Sequence, residues 1–145
     1  MKSYARQASV RWLGTRQRGK GVVNTPSATL KMALHDTDSS TKRRGANPPE
    51  LVAAAIAGSF SLTLASELGE AGYRPRQIDT TAMVTLEYLA DRWTLTQIYL
   101  DVAATVSGMP ECDFVDATLQ AKTNCPISRA LGANVVMSAK LTRNE

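Results

Sequence analysis

One long apolar segment near the middle of the chain limits the folds open to this sequence. Residues 48–68 read PPELVAAAIAGSFSLTLASEL. Asn47 suits a helix N-cap, Pro48 suits the first helical position, and Glu50 stands three residues after Asn47, as in a capping box. A helix is therefore predicted to begin at Pro48 and to end near Gly69–Gly72. Because its apolar residues lie on nearly every face, this helix is expected to be buried.

The rest of the chain alternates between strand and helix patterns. Strands are predicted at 8–13, around Val22–Val23, from Ala28 to Leu34, from Ala82 to Tyr88, from Trp93 to Val106 and from Val135 to Leu141. Helices are predicted at 110–124 and 127–131, a turn at Ala90–Asp91, a connector at 73–79 and a mobile loop at 35–47. The order β-β-β-α-β-β-α-α-β predicts a two-layer α+β fold within one domain, residues 1–145.

The central helix also predicts an assembly. One small sheet cannot cover a helix that is apolar on every face, so a second surface must do so. A homodimer with the helices packed at the interface supplies that surface. We therefore expect the chain to bind a second copy of itself.

Charge and cysteine content narrow the function classes. The net charge is +4, with Arg and Lys concentrated in the first third, but no nucleic-acid motif accompanies them, and a solvated loop and strand edge is expected. The segment 51–68 falls short of the roughly 20 uninterrupted apolar residues of a membrane span, and the N-terminus lacks a signal-peptide core. We expect a cytoplasmic protein that binds neither nucleic acid nor membrane. Two cysteines and one His predict no structural disulfide, no metal and no cofactor.

Five sequence segments resemble those of a known family. They are GKG (19–21) after a Trp-containing strand, ANPPELVAAAIAGSFS (46–61), GEAGY (69–73), IDTTA (78–82) and KTNCPISRAL (122–131). In this order and spacing the chain resembles the OsmC/Ohr family of thiol hydroperoxide reductases over essentially its whole length. The resemblance implies an OsmC-like α+β fold, with antiparallel sheets wrapped around long central helices in an intertwined homodimer. It also implies two active sites at the subunit interface and two-cysteine reduction of organic hydroperoxides.

The resemblance places the family's two reactive cysteines at Ser59 and Cys125. A thiol peroxidase needs a thiolate to attack the peroxide and a second thiol to condense with the resulting sulfenic acid. The attacking cysteine maps onto Ser59, and the resolving cysteine maps onto Cys125 in the C-P-[VI]-S segment. A hydroxyl without a neighbouring base is a poor nucleophile and forms no sulfenic acid.

The family's other site residues are also altered. Its Glu, which holds a polarising Arg, maps onto Pro49, and its His maps onto Ile56. In the Ohr branch the Arg maps near Arg18; in the OsmC branch it maps near Ser39, where Arg43 and Arg44 are possible substitutes. Because Pro49 and Ile56 differ as well as Ser59, natural divergence is favoured over an engineered Cys-to-Ser change.

Three functions remain open on the sequence. The first is an OsmC/Ohr-fold protein without two-cysteine peroxidase activity that binds a small lipophilic ligand. The second is an active hydroperoxide reductase, seen as a Cys-to-Ser variant or using another thiol. The third is a structural or partner-binding dimer. Cys112 is interpreted as an ordinary exposed cysteine that is not joined to Cys125, and Glu50 as a capping rather than a catalytic residue.

Overall fold

The computed structural model describes residues 2–27, 31–34 and 45–143, and it has the predicted order of elements. The strands are β1 (Ser9–Leu13), β2 (Lys20–Asn24), β3 (Lys31–Leu34), β4 (Pro75–Leu89), β5 (Arg92–Val106) and β6 (Asn134–Thr142), and the helices are α1 (Pro48–Glu70), α2 (Glu111–Asn124) and α3 (Pro126–Leu131). The α+β class is confirmed. Contacts group the chain into a first unit, Met1–Leu51, and a second unit, Val52–Glu145.

The first unit is built on a three-stranded antiparallel sheet in the order β1-β2-β3. The packing of this sheet explains why the GKG segment (19–21) has two glycines. The Trp12 ring lies directly over this backbone: a Cβ added at Gly19 would stand 2.7 Å from the ring, and one added at Gly21 would stand 2.8 Å from it. The indole N–H of Trp12 donates to the Gly14 carbonyl at 3.1 Å. Glycine at both positions therefore lets the ring pack on the strand.

Of the loop predicted at 35–47, residues 35–44 lie outside the described residues, and His35 is one of them. Its described end joins the first sheet to α1. The Ala46 N–H donates to the Ala33 carbonyl at 2.9 Å, and Ala46 forms an isolated bridge with Leu34. Asn47 Oδ1 then accepts from the Glu50 N–H at 3.0 Å, which confirms the predicted N-cap of α1.

The second unit contains a long hairpin of β4 and β5. The predicted turn at Ala90–Asp91 is confirmed; both residues have positive φ, 49° and 62°, as a two-residue type I′ hairpin turn requires. The predicted connector at 73–79 is wrong, because β4 already begins at Pro75. Proline is tolerated as the first residue of a strand, where its missing N–H leaves the ladder intact.

The last strand departs from the antiparallel arrangement that was expected. β6 pairs in parallel with β5, from Gln97↔Asn134 to Thr105↔Thr142, so the sheet β4-β5-β6 is mixed. The reason lies in the connection. Helices α2 and α3 carry the chain back along the sheet before β6 begins, and a crossover of this kind joins parallel strands.

One hydrophobic core holds the second unit together. It combines one face of α1, the inner face of β5 and one face of α2. Its fully or almost fully buried side chains are Ile56, Phe60, Leu64, Leu68, Ile98, Leu100, Val102, Ala104, Val106, Met109, Phe114, Ala117, Ala121 and Cys125. The alternation of β5 and the four-residue spacing on α1 produce these faces.

Burial of α1 is confined to that one face, which differs from the burial expected on every side. Leu62 is 74% exposed in the single chain, and Ala54, Ala55 and Gly58 are exposed on the same helix. One sheet covers one side of a helix, and the described residues leave the other apolar side of α1 exposed. By length and composition alone α1 could also cross a membrane, but core helices of soluble proteins pass the same test.

Candidate functional site

Two of the side chains singled out in the sequence lie in contact in the second unit. Ser59 is half-buried on α1, and Cys125 is buried at the junction of α2 and α3. The Cys125 thiol donates to Ser59 Oγ at a distance of 3.4 Å. The fold thus brings together two positions that are 66 residues apart in the chain.

The backbone around Cys125 fixes the direction of its side chain. The Cys125 N–H donates to the Ala121 carbonyl at 2.9 Å, closing α2, and the Arg129 N–H donates to the Cys125 carbonyl at 3.1 Å, opening α3. Its extended conformation, φ −61° and ψ 113°, is the one favoured before proline, here Pro126. Cys125 therefore ends one helix and begins the next, with its thiol held in the core.

A second hydroxyl contacts the same sulfur. Ser128 Oγ donates to Cys125 Sγ at 3.4 Å, and Ser128 is 5% exposed. Ser128 is the last residue of the C-P-I-S segment, and no role was predicted for it from the sequence. The usable signal was its spacing: residues three apart at a helix start share a face, which places this hydroxyl beside the thiol.

The hydrogen bonds around Cys125 outweigh the effect of its burial on the thiol. Burial alone raises the pKa of Cys125, since it disfavours the thiolate. Hydrogen bonds with the hydroxyls of Ser128 and Ser59, and with the backbone N–H groups of Ser128 and Ile127, lower it. The net result is a pKa below the ordinary thiol value, so Cys125 ionises more readily than an ordinary thiol.

The redox chemistry open to this site depends on one sulfur. Cys112 and Cys125 are both free. Cys112 is exposed in the first turn of α2, where its Sγ lies 3.6 Å from Asp113 Oδ1. The length of α2 separates the two by about 20 Å at 1.5 Å per residue. Within the described residues, no group of three or more His, Cys, Asp or Glu side chains is placed to hold a metal.

The other predicted site residues lie elsewhere. Arg18 is in the exposed turn before β2, where its backbone N–H donates to Thr15 Oγ1 at 3.3 Å. Pro49 is in the first turn of α1, and Ile56 is part of the buried core. The roles of Arg18 and Pro49 stay predictions. Ser39, Arg43 and Arg44 are outside the described residues.

Comparison with known proteins identifies similar chains. The family model described as OsmC-like protein matches residues 38–140. The peroxiredoxin OsmC of Escherichia coli K12 is 35% identical over 137 residues, covering 94% of this chain and 96% of that protein.

Solved structures agree with these sequence matches at the level of the fold. An OsmC-like protein of unknown function from Vibrio cholerae has a TM-score of 0.79 at 15% identity, covering 94% of this chain and 99% of that one. The organic hydroperoxide resistance protein OhrB of Bacillus subtilis has a TM-score of 0.69 at 19% identity, covering 94% and 98%.

Proposed function

The chain belongs to the OsmC-like protein family, and from this premise we propose that it takes part in the cell's handling of organic hydroperoxides without two-cysteine catalysis. In this proposal it is a cytoplasmic homodimer that binds a hydroperoxide or another small lipophilic molecule. The observation that carries the proposal is the contact between Cys125 Sγ and Ser59 Oγ. A thiol here faces a hydroxyl and not a second thiol.

The chemistry of that pair supports the loss of the peroxidase cycle. The cycle needs a sulfur that takes the peroxide oxygen and a second sulfur that displaces it as a disulfide. An unactivated serine does neither. Cys125 has a lowered pKa but no exposed surface in the chain, so it is suited to attack a neighbouring sulfur and not a free peroxide. With serine at position 59, the attack on the peroxide cannot occur, and no sulfenic acid forms for Cys125 to attack.

A direct assay tests this proposal. The parent chain, mixed with an organic hydroperoxide and a dithiol, is expected to consume no more peroxide than a buffer blank, because no attacking thiol is present at position 59. Consumption is followed by a colorimetric peroxide assay. The Cys125→Ser chain is the control. Turnover in the parent chain that disappears in Cys125→Ser would contradict the proposal and identify a one-thiol peroxidase.

The exposed apolar surface of the second unit supports the homodimer. On α1, the residues three and four positions from Leu62 are the small Gly58, Ser59, Ala65 and Ser66, and a Cβ added at Gly58 would meet nothing within 4 Å. At the hairpin tip, Tyr88 and Trp93 are 59% and 52% exposed, with ring centroids 5.4 Å apart. Large exposed apolar surfaces of this kind are typical of interfaces, and a second copy supplies matching apolar surface.

The assembly proposal gives a second expected result. At micromolar concentration the chain should sediment as a dimer, and Leu62→Glu should shift it towards a monomer, because burying an unpaired carboxylate costs several kcal/mol. Sedimentation equilibrium measures both masses. Val136→Glu is the matched control: Val136 is 38% exposed on β6, where the adjacent Val135 and Met137 pack on the core instead. A parent chain that sediments near 15.6 kDa would rule the dimer out.

A further inference from the structure

The hydroxyl of Ser128 has a position that the proposed function does not use. Ser128 is almost fully buried, yet its Oγ bonds no backbone carbonyl in the described contacts and donates instead to Cys125 Sγ. On the other side of the sulfur, the Cys125 thiol donates to Ser59 Oγ. The three groups form one ordered row, Ser128 to Cys125 to Ser59, with both distances at 3.4 Å.

We propose that Ser128 is a positioning residue, whose hydroxyl holds the Cys125 sulfur against the side chain at position 59. Since Ser128 already donates to the sulfur, the thiol's own proton is free to point at position 59. This inference deepens the proposed function and rests on it for the identity of the site. It predicts that any thiol placed at position 59 meets a sulfur that is already aimed at it.

Two features of the fold support this role. Ser128 lies on α3, whose first turn begins at Pro126, so its distance from Cys125 is set by the helix and not by a loop. The lowered pKa of Cys125 has the same origin, because the Ser128 and Ser59 hydroxyls hydrogen bond the sulfur and the Ser128 and Ile127 N–H groups add to them. The Ser128 hydroxyl therefore both directs the thiol and contributes to its lowered pKa.

Charged side chains do not explain the lowered pKa of Cys125. The ionisable side chains on the three helices are Glu50, Glu67 and Glu70 on α1, Glu111, Cys112, Asp113, Asp116 and Lys122 on α2, and Arg129 on α3, and none of them is among the causes of the lowered Cys125 pKa. Glu67 Oε1 accepts from Asn124 Nδ2 at 2.9 Å and is thereby engaged elsewhere. The causes of the lowered Cys125 pKa are hydrogen bonds alone, acting against burial. Removing the Ser128 hydroxyl should therefore raise the pKa of the Cys125 thiol.

The first arm of the test keeps Ser59 unchanged and uses no peroxide. In a Cys112→Ser background, the ¹³Cβ shift of Cys125 is followed against pH by NMR. Ser128→Ala should raise the titration midpoint, and Ser128→Thr, which keeps the hydroxyl, should restore it. Ser61→Ala is the matched control, because Ser61 is a half-buried serine on the same helix as Ser59 that donates to the Ala57 carbonyl and to Thr80 Oγ1.

The second arm measures the bond-forming step in Cys112→Ser/Ser59→Cys. One equivalent of organic hydroperoxide converts the new thiolate to a sulfenic acid and leaves as the alcohol. The Cys125 thiolate then attacks that sulfur: the S–S bond forms, the S–O bond breaks, and the leaving hydroxide takes up from the solvent the equivalent of the proton that Cys125 lost on ionising, so that one water is released. Ser128→Ala should slow this condensation about tenfold, as expected for the loss of one hydrogen bond to a charged sulfur. Quenched mass spectrometry follows the loss of water.

The two arms separate the two proposals. An unchanged Cys125 midpoint in Ser128→Ala, or a rise of equal size in Ser61→Ala, overturns the role of Ser128. If instead the midpoint rises in Ser128→Ala and returns in Ser128→Thr, but no disulfide forms in Ser59→Cys, then Ser128 keeps its effect on the thiol. The assignment of position 59 to the family's site, and with it the proposed function, then fails.

Discussion

Replacing Ser59 with cysteine is expected to give a chain that closes a disulfide with Cys125 and reduces organic hydroperoxides only weakly. The disulfide follows from geometry, because the two side-chain tips already lie 3.4 Å apart and an S–S bond needs about 2.05 Å. Weak turnover follows from the thiolate fraction. An ordinary thiol has a pKa of about 8.5, so only a few per cent is ionised at pH 7.

The residue at position 49 sets how weak that activity should be. In the resembled family a Glu at this position holds the polarising Arg, and here Pro49 cannot do so. A misplacement near 1 Å in a reacting group can cost about 10²-fold in rate. Ser59→Cys/Pro49→Glu should therefore turn over faster than Ser59→Cys alone, in the same peroxide assay with a dithiol reductant.

A neighbouring serine provides the control for this pair. Ser61→Cys places a thiol on the same helix, but the parent Ser61 hydroxyl contacts Ala57 and Thr80 and not Cys125. It should form no intramolecular disulfide and show no turnover. Ser59→Cys alone turning over as fast as an authentic family enzyme would contradict the divergence of this chain and favour an engineered serine.

Truncation of Phe114 should remove a large part of the free energy of unfolding. Phe114 lies on α2, has no exposed surface and belongs to the core cluster with α1 and β5. Phe→Ala substitutions in cores cost about 3–5 kcal/mol, because the lost transfer energy adds to the cost of the cavity. Against a total of roughly 5–15 kcal/mol, Phe114→Ala leaves a marginal fold. Urea denaturation at one fixed protein concentration measures the change.

An exposed aromatic residue gives the comparison for Phe114. Tyr4 is 86% exposed, and its ring contacts the Arg6 guanidinium at 5.1 Å. Tyr4→Ala should change the free energy of unfolding by no more than about 0.5 kcal/mol, as surface substitutions usually do. A Phe114→Ala cost equal to that of Tyr4→Ala would mean that α2 does not depend on this core contact.

Local patterns in the sequence were sufficient to predict most of the elements. The Asn47 cap and the alternation along β5 depend on neighbouring residues only, and the structure confirms both. The start of β4 was missed because Pro75 resembles a loop residue, although the first position of a strand tolerates it. The direction of β6 depends on the path of α2 and α3, which residue periodicity does not encode.

The site was predicted less completely than the fold. The resemblance named Ser59 and Cys125, and the fold places them in contact. Ser128 was missed because its role depends on a distance to a sulfur and not on its own sequence pattern. The burial of α1 was overestimated for a related reason: apolar composition states that a surface must be covered, but not whether the same chain covers it.

Each of the two units contains one tryptophan, so intrinsic fluorescence can follow the unfolding of each unit. Trp12 lies in the first unit, with its ring against Gly19 and Gly21, and Trp93 lies in the second unit at the hairpin tip. With one replaced by Phe, the fluorescence emission of the other reports the unfolding of its own unit. Two coincident melting curves would mark one cooperative domain, and two separate curves would mark a first unit that melts independently of the sheet β4-β5-β6.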